Sequence, residues 1–231
     1  MSLTMEPVAH IENDYLEKFG VPRQSGLVQG VTSRVVLEPA YRVREALRGM
    51  EGYSHLWLLW VFSKAQKQGW SPTVRPPRLG GNTRVGVFAS RSPYRPNAIG
   101  LSCVQLERVE WDAPDGPVLL VRGADLMNGT PILDIKPYLP YADCRPEASG
   151  GFGAPPGMGT VRVLLPEEMD FPPDKRQALT EMLAQDPRPG YQDDPERLYG
   201  VAFAGYDIRF TVSDGVLRVK SAAPIGEDAH V

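Results

Sequence analysis

Residues 54–62 read Ser-His-Leu-Trp-Leu-Leu-Trp-Val-Phe, an apolar run too short to span a bilayer and bounded by turn-forming sequence. Its length and its aromatic content predict a strand, one buried on both faces. Working outward, strands are expected at Arg34–Glu38, Arg84–Ala89, Ile99–Trp111, Val118–Gly123 and Thr130–Ile135. Turn signals separate them at Gly80-Gly81-Asn82, Arg95-Pro96-Asn97 and Pro114-Asp115-Gly116-Pro117. A short helix is expected over Val43–Met50. With 23 Gly and 23 Pro in 231 residues, the chain is punctuated far more densely than a helical bundle. The pattern is mainly β, a barrel or a sandwich.

Beyond Cys144 the character changes. Residues 146–159 are rich in Gly and Pro and read as a linker, and Pro155-Pro156 argues against a phosphate-binding glycine loop. A strand follows at Val161–Leu165, then an amphipathic helix over Pro173–Gln185 with Leu179, Met182 and Leu183 on one face. Tyr199–Ala204, Tyr206–Val212 and Val216–Val219 complete a small sheet, with Ser213-Asp214-Gly215 as a hairpin turn. The expected organisation is a β domain over 1–145, a linker over 146–159 and a small α+β unit over 160–231.

The chemistry search excludes several classes. The three histidines, His10, His55 and His230, show no metal-ligand spacing, so no metal is expected. His55 and Cys103 fall on apolar strands and read as core, whereas Cys144 falls at the domain edge. No Walker loop, no Gly-x-Ser-x-Gly elbow and no dinucleotide fingerprint is present. The N-terminus lacks the pattern of a signal peptide, so a soluble, cytoplasmic protein away from membranes is expected.

The net charge of −3 hides a strong asymmetry. From Gly52 to Leu106 there is no Asp or Glu, but there are Lys64, Lys67, Arg75, Arg78, Arg84, Arg91 and Arg95. Such a stretch suits an anion, whether phosphate, carboxylate or RNA backbone, or else forms solvated loops.

Three segments carry more special residues than a scaffold requires. Gly20 and Pro22 stiffen a turn presenting Arg23 and Gln24. Residues 84–102 run from a strand into a Pro-punctuated loop holding Arg91 and Arg95. There the guanidinium groups either recognise an anion or pair with acids to staple the loop. Residues 125–141 place Asn128-Gly129 in a turn and set Asp134 and Lys136 on one strand face, as part of a site or as a solvent-side ion pair.

Glu17–Gln24, Pro72–Asn82, Gly86–Ser102 and Asp125–Asp143, in this order, resemble the TsaA/TrmO (YaeB-like) family of S-adenosylmethionine-dependent tRNA adenine N6-methyltransferases. Residues 185–191 resemble that family's C-terminal domain. The resemblance implies a small β-barrel that binds its methyl donor without a Rossmann fold, followed by the α+β unit. It implies a homodimer that methylates threonylcarbamoyl-adenosine at tRNA position 37. Donor contacts would fall on Pro22, Arg23, Gln24, Ser63, Lys64, Arg91, Leu101, Asp125, Leu126, Met127 and Asn128. Asp134, Lys136 and Tyr138 are the expected catalytic residues, and Arg75, Arg78, Arg84 and Arg95 are expected to hold the anticodon stem-loop and the threonyl carboxylate. The chain departs from the family at Ser63-Lys64, where many members have His, at Ala98, usually Pro, and at Asn128, usually Asp. The alternatives are a non-catalytic RNA-binding barrel and a methyltransferase of this fold acting on another acceptor.

Overall fold

The computed structural model describes residues 3–64, 70–76, 79, 82–153, 160–188 and 194–226. Alternating burial in the first part of the chain closes a barrel. Its strands are β1 (Ala9–Glu12), β2 (Thr32–Leu37), β3 (His55–Val61), β6 (Ile99–Glu110), β7 (Val118–Arg122) and β8 (Pro131–Pro137). Between β3 and β6 lies a separate pair, β4 (Thr73–Val74) and β5 (Val85–Gly86). The barrel order is β1-β2-β7-β6-β3-β8, antiparallel throughout, and β8 returns to β1. That closing seam is narrow: Ala9 faces Ile132 and His10 faces Pro131. The interior is filled by Ile11, Val35, Leu56, Leu58, Trp60, Val104, Leu119 and Val121, among others.

The central strand differs from the expectation of burial on both faces. Leu56, Leu58 and Trp60 point inward, and His55, Trp57, Leu59 and Val61 are half-buried outside. An antiparallel barrel has one core face, so a continuous apolar run here means that the outer face is only partly covered. Trp57 meets the Tyr138 ring at 5.7 Å on that outer face. His55 is therefore no core histidine; it bonds Ser54 Oγ at 2.9 Å. Cys103, opposite Trp57, is likewise half-buried on the outside rather than in the core, and Cys144 is exposed.

Two other local expectations change. Over 43–50 there is no α-helix but a 3-10 turn, Arg44–Leu47, ended by Gly49 at φ 86°. The positive φ breaks the helical path. The 84–89 strand is reduced to Val85–Gly86, followed by a 3-10 turn over Val87–Ala89.

The later part forms a second layer. After a one-turn helix α1 (Pro140–Asp143) come β9 (Arg162–Leu164), α2 (Arg176–Ala184), β10 (Tyr199–Phe203), β11 (Tyr206–Ser213) and β12 (Val216–Pro224). The sheet order is β10-β11-β12-β9, with β9 parallel to β12. The expected helix is present; its first turn, Pro173–Lys175, is 3-10. The expected hairpin is also present. Asp214 and Gly215 adopt φ 51° and 71°, the two positive values that a two-residue turn needs. Residues 154–159 of the expected linker lie outside the described residues.

Residues 13–31, between β1 and β2, belong to both layers. Tyr15, Val28 and Val31 are buried in the core of the second layer, with Leu179, Met182, Val201 and Phe203. Tyr15 also bridges to Phe203, and Ala202 N donates to Glu17 Oε1 at 2.7 Å. Lys175 Nζ reaches Asp14 Oδ2 at 2.6 Å. Gly30 is compulsory: a Cβ there would lie 2.9 Å from the Ala178 Cα. Glu181 Oε2 accepts from both Gln29 N (2.8 Å) and Gly30 N (2.7 Å).

Burial opposes ionisation of Glu181. The Gln177 amide, the two backbone N–H groups and Arg122 outweigh it, and the carboxyl sits below its ordinary value. A depressed carboxyl stabilises the fold above the unfolded pKa and loses that contribution as pH falls through the folded one. Glu181→Ala is expected to cost roughly 1–3 kcal/mol at neutral pH by stranding two N–H groups. Urea melts across pH should show the difference from the parent chain shrinking below about pH 4.

Candidate active site

At one end of the barrel lies a cleft of about 1990 Å³. That exceeds the roughly 300–1,000 Å³ of common small-molecule sites, so it has room for two reactants. Its walls come from the 13–31 connection, the end of β3, the 90–95 loop, the start of β6 and the 125–131 turn. Of the expected donor residues, Pro22, Arg23, Gln24, Ser63, Lys64, Arg91, Leu101, Asp125, Met127 and Asn128 line it. Leu126 does not; its side chain is fully buried in the barrel core. Segments about a hundred residues apart in sequence thus meet in one place.

Local hydrogen bonds hold these walls together. Arg91 Nη1 donates to Gln24 Oε1, which joins the 90–95 loop to the 13–31 connection. Arg23 Nη2 reaches the carbonyls of Asp186 (3.4 Å) and Arg188 (3.3 Å) from the second layer. Asn128 Oδ1 accepts from Asn13 N at 3.0 Å, and Asn13 Nδ2 donates to Leu126 O at 2.9 Å. Asn128 works here as an acceptor, a role that the Asp expected there from the family resemblance would perform equally well. Gly129, at φ 75°, completes the turn, and its N–H donates to Ile11 O at 2.7 Å.

Asp125 is the acidic group set deepest in the cleft wall. Burial pushes its carboxyl up from the usual carboxylate range, against the pull of the Ser102 hydroxyl, the backbone of residues 125 and 25, and Arg91. Ser102 Oγ bonds Asp125 Oδ1, and Trp60 Nε1 donates to Ser102 Oγ at 2.9 Å.

The basic residues gather at the mouth. Arg75, Arg84 and Arg95 line the cleft, and Arg78 lies outside the described residues. Arg84 Nη1 donates to Thr73 Oγ1 at 3.1 Å. Arg95 Nη1 donates to Ser90 O at 2.7 Å, and its guanidinium lies 5.8 Å from the Phe88 ring centre. Arg91 and Arg95 are thus anchored by amide, carbonyl and ring groups, and among the described residues neither forms an ion pair.

Asp134, Lys136 and Tyr138 lie elsewhere. They sit on or next to the outer face of β8, outside the cleft of their own chain. Asp134 and Lys136 form an exposed ion pair at 2.8 Å. Sequence reading also passed over Trp60, Trp70 and Glu17, all in the cleft wall. Trp60 reads as strand core by pattern, and only its pairing with Gly100 and Ser102 reveals a second task. Among the described residues no group of His, Cys, Asp and Glu is arranged to hold a metal ion, and no helix is long and apolar enough to cross a membrane.

Comparison with known proteins agrees with this architecture. The family model for the tRNA-methyltransferase O N-terminal domain matches residues 10–144, and that for the TrmO C-terminal domain matches residues 162–225. An Escherichia coli K12 protein named tRNA (adenine(37)-N6)-methyltransferase is 40% identical over 233 residues, covering 96% of this chain and 99% of that one. A Pseudomonas aeruginosa relative, 40% identical over 220 residues and covering 91% and 93% of the two chains, is named for S-adenosylmethionine and methyl transfer. A crystal structure of TrmO superposes with a TM-score of 0.78 at 34% identity, covering 96% of this chain and all of that one. With both domains matched in order and a barrel of the same shape, the chain belongs to the tRNA-methyltransferase O family.

Proposed function

We propose that this chain transfers a methyl group from S-adenosylmethionine to the N6 amine of adenosine 37 of tRNA, in its threonylcarbamoyl form. We further propose that it acts in the cytoplasm as a homodimer without a metal. The observation that carries the reading is the union, in one cleft, of the donor motifs, a buried carboxylate and a basic mouth. The residues present suit such a donor: Asp125 offers a negative charge to a cation, and the largely apolar wall suits a nucleoside. When bound, the donor supplies a methyl group on a positively charged sulfur.

The chain's own work is alignment, which is worth up to roughly 7–11 kcal/mol of barrier when the reacting atoms are held in line. Pro22, Arg23, Gln24, Ser63, Lys64, Arg91, Leu101, Asp125, Met127 and Asn128 hold the donor, with Leu126 contributing backbone alone. Arg95 holds the threonyl carboxylate. Arg75, Arg84 and Arg78 take the phosphates of the anticodon stem-loop. Asp134, with Lys136 and Tyr138, withdraws a proton from the acceptor amine. Their place outside their own cleft requires a second copy of the chain to present them, which is why the homodimer belongs to the reading. The 1–145, 146–159 and 160–231 divisions correspond to barrel, linker and a C-terminal unit that braces the donor wall.

Labelled S-adenosylmethionine, offered with tRNA bearing threonylcarbamoyl-adenosine and with the unmodified tRNA, tests this directly. Nucleoside mass spectrometry should find the new methyl on the modified adenosine alone. Saturable donor binding without transfer to either tRNA would redirect the acceptor assignment. Asp134→Asn is expected to lower kcat by about 10²–10⁴ while leaving the donor Kd unchanged. Arg75→Ala combined with Arg84→Ala should flatten the log–log salt dependence of tRNA binding by roughly 1.4–1.8, again sparing the donor. Loss of donor affinity in that variant would mean that the two arginines maintain the cleft instead.

A further inference from the structure

Gly100, Trp60, Ser102 and Asp125 form a continuous chain from the barrel interior to the cleft wall. Trp60 and Gly100 are cross-strand partners, and a Cβ at Gly100 would fall 2.3–2.6 Å from three atoms of the Trp60 indole. The glycine therefore lets the indole lie flat on β6. Phe62 packs against the indole, with ring centres 4.2 Å apart. So seated, Trp60 Nε1 donates to Ser102 Oγ at 2.9 Å. Ser102 is fully buried and has one proton to give.

With the Asp125 carboxyl ionised, hydrogen-bond chemistry fixes the direction of this chain. An indole N–H only donates, so the Ser102 oxygen accepts from Trp60 and its proton points to Asp125 Oδ1. A hydroxyl donating to a carboxyl oxygen favours the ionised form. Among the described residues no ion pair reaches Asp125; Arg91 acts on it through space while bonded to Gln24. A largely buried carboxylate without a contacting cation is costly, and the open side of this one faces the cleft.

We propose that Ser102, locked by Trp60 over Gly100, is a positioning residue that holds the Asp125 carboxylate as the counter-charge for the cationic end of the methyl donor. This rests on the donor site proposed above. Ser102 itself does not line the cleft, so its effect on the donor passes through Asp125. The donor carries two positive groups, the sulfonium and the α-ammonium, and either is a suitable partner.

Calorimetry with three ligands tests the proposal: S-adenosylmethionine, S-adenosylhomocysteine, which lacks the sulfonium, and 5′-methylthioadenosine, which lacks both cations. Ser102→Ala is expected to weaken S-adenosylmethionine about tenfold, the size of one lost hydrogen bond to a charged group, and to leave methylthioadenosine unchanged. A tenfold loss retained by S-adenosylhomocysteine assigns the ammonium; its disappearance there assigns the sulfonium. Ser102→Thr, which keeps the hydroxyl, should restore most of the affinity. Equal losses for all three ligands, or no loss for any, would overturn the proposal. If Ser102→Ala fails to fold, Trp60→Phe reads the same chain, because it removes the locking N–H and keeps a ring over Gly100. It should weaken the charged ligands about threefold and spare the neutral one, and unchanged selectivity would overturn the proposal equally. A parent chain that binds none of the three ligands would instead refute the donor site itself.

Discussion

The nineteen residues from 13 to 31 must satisfy two cores at once. Tyr15 and Val31 commit this connection to the second layer, while its flanking strands belong to the barrel. Gly30 must remain without a Cβ so that α2 can approach, and Glu181 then accepts from the backbone N–H groups of Gln29 and Gly30. Pro22, Arg23 and Gln24 ride on the same connection, so the cleft wall is only as well placed as the contact between the layers. The C-terminal unit accordingly shapes the site, and its Met182, Gln185 and Pro187 line the cleft directly. Arg23 makes this concrete, because its guanidinium reaches carbonyls at Asp186 and Arg188 that the barrel cannot supply.

Much of the scaffold was legible in the sequence because local chemistry and global packing agree there. The Ser213-Asp214-Gly215 turn and the Pro173-led helix follow from backbone preferences that no tertiary contact opposes. The misreadings arise where an apolar residue has a task other than filling a core. The run 54–62 suggests double burial, but its outer residues, Trp57 and Leu59, are only partly covered. The same inference puts His55 and Cys103 in the core, and both lie on that same outer face.

The candidate site was legible as motifs but not as geometry. Spacing could point to Gln24 and Arg91, but it could not show that they bond each other across 67 positions. It could nominate Asp134 and Lys136 as neighbours on one strand face, yet not reveal that this face points away from the cleft. Ser102 looks like any small residue on a strand. Its importance comes from two partners, one on β3 and one on the 125–131 turn, and neither is near it in sequence. The Asn128 substitution illustrates the converse: it looks like a lost charge, but the structure uses only its acceptor oxygen.

An enzyme that joins a polyanionic acceptor to a cationic donor faces opposed electrostatic demands. A mouth lined by Arg75, Arg84 and Arg95 attracts phosphates and repels a positively charged donor. Uniformly reducing that charge would ease donor entry at the expense of RNA binding. The chain separates the two demands by depth. At the exposed mouth, solvent and salt screen the arginines over about 10 Å, so they act on a ligand with many phosphates more than on one with a single charge. At the wall, Asp125 lies where the effective dielectric is lower and screening weaker, so one carboxylate outweighs several remoter arginines for any group in contact with it. The balance holds only while that carboxylate remains ionised and correctly turned. A desolvated acid among basic loops does not secure this unaided, and the buried Ser102 hydroxyl, oriented by Trp60, supplies the means.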